Sequence, residues 1–566
     1  VVDTSGAGAD RDSGGMQLNM IPKDGGNQFT GAAQYSFSNS SLESSNINDD
    51  LVARNLSTDR LGSLKKYRDD AFAIGGPIQR DKVWFFAAFR EGVTQFYPTN
   101  RYFNANKQPA YVEGGPLLRP VTADTSYLFA PDLAKPAFTD EFARDVTIRV
   151  TAQVAQKHKL NYSILHQPNC NCVYNLLQAV PVLSPEATGE HRYNPNYVQN
   201  GAWTYPASNR LLFEAGAIQN SHAQNDTTLT GLPYGLPDVP LTDIRIEDQG
   251  LNMIYGSVPS RTLPRKQWQE RFSMSYVTGS HNFKAGTILR QTRIGDIDRF
   301  GHDLFMNGTG VQYRLNAAHV PNRITLLDGP WNFEEHMRDI AVFAQDQWTV
   351  NRFTVNAGVR FNNEKGSHPE QVLGAGFWVP ERVFAATGNT SNRNNFSPRL
   401  GLAYDVFGDG RTAIKGQLGY YPDPLIRTLS NPAVNLTRTT NINWTDRNGN
   451  FIPDCDLTNP AANGECGSWA SPAFGQSRAE TVQGPDTISG WNNAPANWQG
   501  SVSLQHELAP GVAVTVGYFR TWYPNLLTTQ NTALTAANFD EFCVQAPSDS
   551  RLGSVSGQQL CGFYDI

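Results

Sequence analysis

The chain has 566 residues, a net charge of -6 and 17% charged residues, so no basic surface for nucleic-acid binding is indicated. Aromatic residues reach 11%, the mean hydropathy is -0.43, and no run of 18 apolar residues occurs, which excludes transmembrane helices. A membrane-spanning β-barrel is not excluded, because half of each strand and all loops of such a barrel are polar. One large barrel can also absorb this length, since its perimeter grows by adding strands.

The N-terminal part, residues 1–28, is rich in glycine and aspartate and carries no signal-peptide pattern. Its last residues predict a short strand, a turn at Gly25-Gly26 and a new strand that begins at Phe29. We predict the first long strand over residues 29–38. Since the last residue, Ile566, falls in a predicted loop, we expect the chain to be a piece of a longer protein at both ends.

The following strands are predicted as hairpins with short turns. Residues 71–87 contain Gly-Gly-Pro-Ile, a charged turn and Trp-Phe-Phe, and Pro77 suits a strand end because no hydrogen-bond donor is needed there. Further hairpins are predicted over residues 146–164, 202–217, 272–289, 339–361, 396–420 and 502–518. Seven short turns and the first strand give about fifteen strands.

Period-two alternation gives each predicted strand one apolar and one polar face. Phe353, Val355 and Ala357, for example, alternate with Thr354 and Asn356. The connections between hairpins are long and are predicted to be loops without regular secondary structure; they span residues 91–143, 166–198, 221–266, 292–335, 364–395 and 422–497. Short turns at one end and long loops at the other predict an all-β fold, a large antiparallel transmembrane β-barrel with apolar side chains toward lipid and polar ones toward a watery interior.

Two motifs resemble a known family. Lys-x-Gly-x-Asn-x-Phe-x-Gly at residues 23–31, preceded by Gly14-Gly15, resembles the junction between plug and barrel in TonB-dependent outer-membrane receptors. Gly-Gly-Pro-Ile and Trp-Phe-Phe in residues 71–87 resemble the second barrel hairpin of the Oar-like branch of these receptors. The resemblance implies that residues 1–28 are the end of the plug domain and its linker. It also implies that residues 29–566 are part of a 22-stranded barrel whose last strands, about seven, are absent.

The resemblance also implies a function and its partners. The protein would reside in the outer membrane of a Gram-negative bacterium, in contact with membrane lipid. It would transport a bulky extracellular substrate, whose identity the sequence does not reveal. Coupling to the TonB complex would run through an N-terminal part that this chain lacks.

Two other functions stay open from the sequence. A passive porin needs no plug, so residues 13–28 lying inside the lumen would exclude it. A surface adhesin or assembly protein would use its long loops, and contacts of loops 91–143 and 422–497 with other copies or other proteins would favour it. No catalytic cluster emerges, so an enzyme is not expected.

The six cysteines form three local pairs in predicted loops: Cys170 and Cys172, Cys455 and Cys466, and Cys543 and Cys561. Local pairs of this kind indicate disulfides and an oxidising compartment. The alternatives are free thiols or a metal site, for which no histidine cluster is present.

Asp446, Asn448, Asn450 and Asp454 space oxygen donors at positions 1, 3, 5 and 9 of one loop. This spacing resembles a calcium loop, because hard cations prefer several oxygens on a tight turn. The loop departs from the EF-hand pattern, since Phe451 stands where glycine is required and no glutamate follows at position 12. A bound Ca²⁺ in residues 446–456 is therefore one interpretation, and an Asx-rich turn without an ion is the other. No other cofactor is predicted.

Overall fold

The computed structural model describes the chain in segments. They are residues 8–14, 23–44, 47–54, 62–106, 127–178, 180–227, 244–256, 260–295, 305–306, 311–328, 333–375, 378–425, 431–433, 435–477 and 482–565. Of the predicted plug end and linker, residues 1–28, only residues 8–14 and 23–28 are among them.

The described residues are mostly β-strand. In chain order the strands are β1 (Thr30–Ser38), β2 (Ser63–Gln79), β3 (Val83–Tyr97), β4 (Tyr102–Asn104), β5 (Pro131–Pro136), β6 (Thr139–Ala155), β7 (His158–His166), β8 (Asn169–Tyr174), β9 (Val182–Leu183), β10 (Gly189–Pro206), β11 (Leu211–Thr227), β12 (Arg245–Asp248), β13 (Met253–Tyr255), β14 (Ser260–Thr278), β15 (His281–Ile294), β16 (Phe305–Met306), β17 (Val311–Leu315), β18 (Pro321–Leu327), β19 (Glu335–Val350), β20 (Phe353–His368), β21 (Gln371–Leu373), β22 (Arg382–Phe384), β23 (Thr387–Asp405), β24 (Thr412–Pro422), β25 (Thr439–Trp444), β26 (Cys466–Trp469), β27 (Ser489–Trp491), β28 (Ala496–Ala509), β29 (Val512–Trp522), β30 (Asp540–Gln545) and β31 (Gln559–Asp565). The α-helices are α1 (Asp49–Ala53) and α2 (Pro485–Ile488), and 3₁₀ segments span Ser40–Leu42, Pro185–Ala187, Ala536–Asn538 and Ser550–Val555. Within these residues, no helix has the length and apolar character needed to cross a membrane.

Fifteen long strands form one antiparallel meander, in which each strand pairs with the next. They are β1, β2, β3, β6, β7, β10, β11, β14, β15, β19, β20, β23, β24, β28 and β29. This confirms the predicted antiparallel sheet and its fifteen strands. Sequential pairing of this kind is what an up-and-down barrel requires.

The two faces of the meander are reversed relative to a water-soluble protein. On β19, Ile340 and Val342 are 36% and 48% exposed, whereas Ala341 and Phe343, which alternate with them, are buried. On β20 the buried positions include Arg360, which is 1% exposed. Apolar side chains therefore cover the outer face, as predicted for a barrel in lipid. The protected inner face carries polar and charged side chains such as Asp339 and Arg360, with some apolar ones between them.

Short turns join the hairpins at one end of the sheet. Several of them contain a residue with positive φ, such as Asp81 (63°), Gly279 (56°), Asn351 (51°) and Gly511 (83°). Asparagine, aspartate and glycine tolerate this conformation, which tight hairpin turns require. These residues explain why the turns could be located from sequence.

The predicted bounds of the long loops were wrong. The loop predicted over residues 91–143 is partly strand, because β3 continues to Tyr97 and β6 begins at Thr139. The same holds at residues 221–266, where β11 continues to Thr227 and β14 begins at Ser260. The strand ends carry many polar residues, so their composition resembles that of a loop.

The prediction that the long connections lack regular structure was also wrong. Strands from four of them assemble into a seven-stranded sheet with the order β26-β25-β18-β17-β12-β13-β9. Two of its pairings, β12 with β17 and β13 with β9, are parallel and join different connections. We call this sheet, together with the apolar core on its buried face, the cap.

Residues 525–566 form a separate compact unit. Within it β30 and β31 pair in antiparallel fashion, and the disulfide Cys543–Cys561 joins the two strands. A crosslink of this kind lowers the entropy of the unfolded hairpin and so stabilises a unit with little apolar core.

Candidate functional site

A network of charged side chains covers the inner face of β15, β19, β20 and β23. Arg360 donates to Asn362 at 2.7 Å, and Asn362 donates in turn to Asp339 at 2.8 Å. Farther along the face, Arg393 pairs with Glu364 at 3.0 Å. Buried charges are costly unless they are paired and hydrogen-bonded, and here each cited group has such a partner. The network gives the lumen a polar wall of mixed charge.

Residues 8–12 lie against this wall and are held by ion pairs. Asp10 accepts from Lys284 of β15 at 2.7 Å, and Asp12 forms an ion pair with Arg290 of the same strand. Arg290 also lies 4.0 Å from Asp339. The N-terminal segment therefore completes the charge balance of a wall that is rich in arginine and lysine.

The backbone and one small side chain of this segment also contact the wall. The Ala9 N–H donates to Gln345 at 2.7 Å, and Arg399 donates to the carbonyl of Gly8 at 2.5 Å. The methyl group of Ala9, which is 1% exposed, packs in an apolar cluster with Ala341 and Phe343. A side chain much larger than alanine at residue 9 would have to displace the strands behind it.

The two aspartates of the segment are held in the charged form. Burial raises the pKa of the Asp10 carboxyl, but the hydrogen bond and charge of Lys284 outweigh burial and bring the pKa below its ordinary value. Burial likewise raises the pKa of Asp12, and the charge of Arg290 beside it reverses the effect, so that this pKa is also lowered. Both carboxylates are therefore ionised throughout the physiological pH range.

A second contact between the N-terminal part and the barrel lies near the short turns. Asp24 forms an ion pair with Arg149 of β6. Asn27 donates to Asp81 in the β2–β3 turn at 2.6 Å and accepts from the indole N–H of Trp84 at 2.8 Å. These contacts fasten the chain at the point where it enters β1.

The opposite end of the lumen is covered by the long connections. Met337 of β19 and Ile294 of β15 point inward at the ends of their strands far from the short turns. They pack in one apolar cluster with Leu373 and with Leu436 of the connection after β24. This cluster lies beyond Asp339 on β19, and hence beyond residues 8–12. The wall is thus covered from one side by the N-terminal segment and from the other by the connections.

The cap has an apolar core of its own. Ile246, Tyr255, Tyr313 and Leu326, from two different connections, are each 2% exposed or less. Burial raises the pKa of Tyr313 well above its usual range. The pKa of Tyr255 is also raised, mainly by burial and in addition by the negative charge of the nearby Asp248. Both tyrosines stay neutral, so the core holds no phenolate charge.

The predicted calcium residues are brought together in one exposed loop. Asn448 and Asn450 donate to the same oxygen of Asp454 at 2.6 and 3.3 Å. Asp446 accepts from the N–H of Phe451 at 3.0 Å, and Phe451 has a φ of 59°, although it stands where an EF-hand has glycine. Among the described residues no group of three or more His, Cys, Asp or Glu is placed to hold a metal, and this loop offers two carboxylates and two amides.

The side chain of Phe451 is the reason why this loop can adopt such a turn without glycine. Its ring stacks on Tyr127 with centroids 5.0 Å apart and thereby joins the edge of the cap core. The free energy gained by burying an aromatic ring exceeds the conformational cost of one residue in the left-handed region. The loop is therefore attached to the cap at its centre.

The cysteines are joined in the three local pairs: Cys170–Cys172, Cys455–Cys466 and Cys543–Cys561. Cys170 and Cys172 lie on β8, not in an irregular loop as predicted, and both are buried in an apolar cluster with Phe103 and Phe138. Cys455–Cys466 links the loop that contains Asp446 to β26 of the cap.

Sequence reasoning missed the charged contacts of residues 8–12. The pattern Asp-Arg-Asp at residues 10–12 was visible, but its partners Lys284 and Arg290 are more than 270 residues away in the chain. The one available signal was the presence of arginine and lysine in the middle of strands, on the polar face, where an unpaired charge would be costly.

Comparison with known proteins agrees with this architecture. Residues 104–538 match the family described as outer membrane beta barrel domain. The TonB-dependent transporter Oar of Myxococcus xanthus is 22% identical over 466 residues, which cover 71% of this chain and 42% of that protein. The chain therefore spans less than half the length of this relative.

Solved structures give weaker similarities. A mutant of the ferric enterobactin receptor of Pseudomonas aeruginosa aligns over 99% of this chain and 61% of its own, with 10% identity and a TM-score of 0.47. The outer membrane transporter YddB of Escherichia coli aligns over 86% of this chain and 50% of its own, with 10% identity and a TM-score of 0.43.

Proposed function

Because the chain belongs to the outer membrane beta barrel domain family, and so lies in the outer membrane of a Gram-negative bacterium, we propose that it is the barrel part of a TonB-dependent transporter. Its substrate would be a bulky solute taken from outside the cell. The role is transport and not catalysis. The similarity to the Oar transporter, which supports this proposal, covers only part of that protein.

The observation that carries the proposal is the contact of residues 8–12 with the lumenal wall. Asp10 and Asp12 form ion pairs with Lys284 and Arg290 of the wall, so this part of the lumen is filled by the chain itself. A passive porin keeps a water-filled channel, and a segment held there by ion pairs opposes that function. A plugged barrel needs an energy source to admit a large solute, and TonB would supply it.

Ion conductance in planar bilayers tests the plugged state. The protein with its plug should give no steady conductance, whereas a variant that lacks the residues before Gly25 should conduct as a wide pore. Steady conductance of the unmodified protein would favour the porin. Failure of both proteins to conduct, together with binding of other cells or proteins by the cap, would favour the adhesin.

We further propose that the loop at residues 446–454 binds Ca²⁺. The proposal is supported by the oxygen donors Asp446, Asn448, Asn450 and Asp454, which lie on one tight turn, and by the left-handed Phe451. Bound calcium would neutralise the two carboxylates. The test is protease resistance of residues 440–470 with calcium and with a chelator, and equal resistance in both would contradict the proposal. Asp454→Asn is expected to abolish the difference.

A further inference from the structure

Three cationic side chains lie side by side on the outward face of the barrel. Arg338 of β19 pairs directly with Lys365 of β20. Arg293 of β15, the strand on the other side of β19, pairs with His336. Since His336 is two residues from Arg338, Arg293 is a diagonal neighbour of Arg338. Arg293 and Arg338 are exposed. Directly paired residues lie about 5 Å apart and diagonal ones about 7–8 Å, so the three charges form one cluster.

The cluster lies at one border of the membrane. Arg338 shares its face with Ile340 and Val342, which point to lipid, and is ten residues from Trp348 near the short turn. Ten residues span about 33 Å along a strand and about 25 Å along the membrane normal at a tilt of about 40°. This height equals that of the apolar band of such barrels. Because short turns are periplasmic, the cluster lies at the headgroups of the outer leaflet.

The fold itself gives no reason for this arrangement. Like charges placed directly opposite each other on neighbouring strands destabilise a sheet, yet Arg338 faces Lys365. Within the described residues neither of them forms an ion pair. Nearby carboxylates include Glu334, which hydrogen-bonds to His336 at 2.5 Å, and Glu270, which lines a groove together with Arg293. Among the described residues, Glu270 forms no ion pair with any of the three cations. With three cations and the one carboxylate of this groove, the cluster keeps a net positive charge.

Apolar surface lies directly on the membrane side of the cluster. Ile340 is one outward position nearer the short turns than Arg338. Leu289 is two outward positions nearer than Arg293, and Phe361 is two nearer than Lys365. Beside Arg293 a groove of about 250 Å³ is lined by Leu289, Gln291, Trp268 and the carboxylate residue Glu270. The guanidinium of Arg293 lies 5.8 Å from the indole ring of Trp268. The site thus combines cations at headgroup height with an apolar surface below them.

We propose that this outward face binds a phosphorylated lipid of the outer leaflet, with its phosphate held by Arg293, Arg338 and Lys365. A phosphate between the three cations removes their mutual repulsion and accepts charge-assisted hydrogen bonds from each. The acyl chains of the same molecule cover Leu289 and Ile340. A free phosphate ion would use only the cations, so the apolar surface favours the lipid.

The test uses the protein in neutral-detergent micelles, titrated with lipid A that carries its phosphates and with the dephosphorylated form. Native mass spectrometry counts the bound lipid. The triple variant Arg293→Gln, Arg338→Gln, Lys365→Gln should bind the phosphorylated form at least about tenfold more weakly. The control variant has the same change of charge in the periplasmic turns: Lys157→Gln, Arg352→Gln, Arg411→Gln. It should bind the phosphorylated lipid as tightly as the unmodified protein does.

Equal binding of phosphorylated lipid by the triple variant and the control would overturn the proposal. So would equal binding of both lipid forms by the unmodified protein. If inorganic phosphate binds as tightly as the lipid, the apolar surface contributes nothing and the lipid assignment is wrong. Heat-modifiable migration on a gel checks that each variant folds. Should the triple variant not fold, Arg338→Gln alone replaces it, with an expected loss of about threefold.

Discussion

Replacing Asp12 by alanine should loosen residues 8–12 from the lumenal wall. The change removes the carboxylate that pairs with Arg290, whose side chain is 18% exposed against 37% for Asp12. A hydrogen bond to a charged group contributes about 1.5–3 kcal/mol. Asp12 is partly exposed to solvent, and Asp339 near Arg290 keeps part of the interaction after the substitution. The lost docking free energy should therefore be near the lower limit, about 1.5 kcal/mol. The population of the released segment should therefore rise about tenfold.

Thiol labelling measures this population. All six native cysteines are in disulfides, so Ala9→Cys introduces a single thiol at a position that is 1% exposed. Its rate of reaction with a maleimide reports how often the segment leaves the wall. Asp132→Ala is the matched control, because Asp132 pairs with Lys135 on a surface strand at 3.1 Å.

In the Ala9→Cys background, Asp12→Ala should raise the labelling rate about tenfold, and Asp132→Ala should leave it unchanged. Equal rates in both variants would refute the role of the ion pair in holding the segment. A fast labelling rate in the Ala9→Cys protein without a further substitution would refute the docked position of residue 9.

Three further predictions concern the lipid face, the cap and pH. Val342→Lys should destabilise the folded barrel in vesicles by about 2–4 kcal/mol in denaturant titrations, while Gln417→Lys on the lumenal face should not; equal losses would contradict the assigned faces. Tyr313→Ala should cost the cap about 3–5 kcal/mol and expose the connections to protease without changing the gel migration of the barrel; unchanged resistance would argue against a shared core. Since the folded pKa values of Asp10 and Asp12 are lowered, docking should be constant from about pH 5 to 8 and weaken only as pH falls below about 4. The mobility of a nitroxide at the exposed residue 11 reports this. Release at pH 6 would contradict this.

The meander could be predicted from the sequence because its information is local. Alternation along β20 and turn residues such as Asn351 and Gly511 lie within one hairpin and fix its register. The loop of Asp446 to Asp454 was located for the same reason, since one turn contains all its donors.

The cap could not be predicted, because its pairings are not local. Its strands are two to seven residues long, and β12 pairs in parallel with β17, about 65 residues later. The alternation of Val311, Tyr313 and Leu315 with Gln312 and Arg314 was a usable signal, but it does not reveal the partner strand. The contacts of residues 8–12 share this limit, because ion pairs between distant segments leave no periodic pattern.

The reversed faces of the meander are tested most directly by a nitroxide scan of residues 340–345 in lipid vesicles. Collision rates with oxygen, which enters lipid, and with a water-soluble nickel chelate are measured at each position. High oxygen accessibility is predicted at residues 340, 342 and 344, and low accessibility at residues 341, 343 and 345. Accessibility without a two-residue period, or with the opposite phase, would contradict a barrel whose apolar side chains face the membrane.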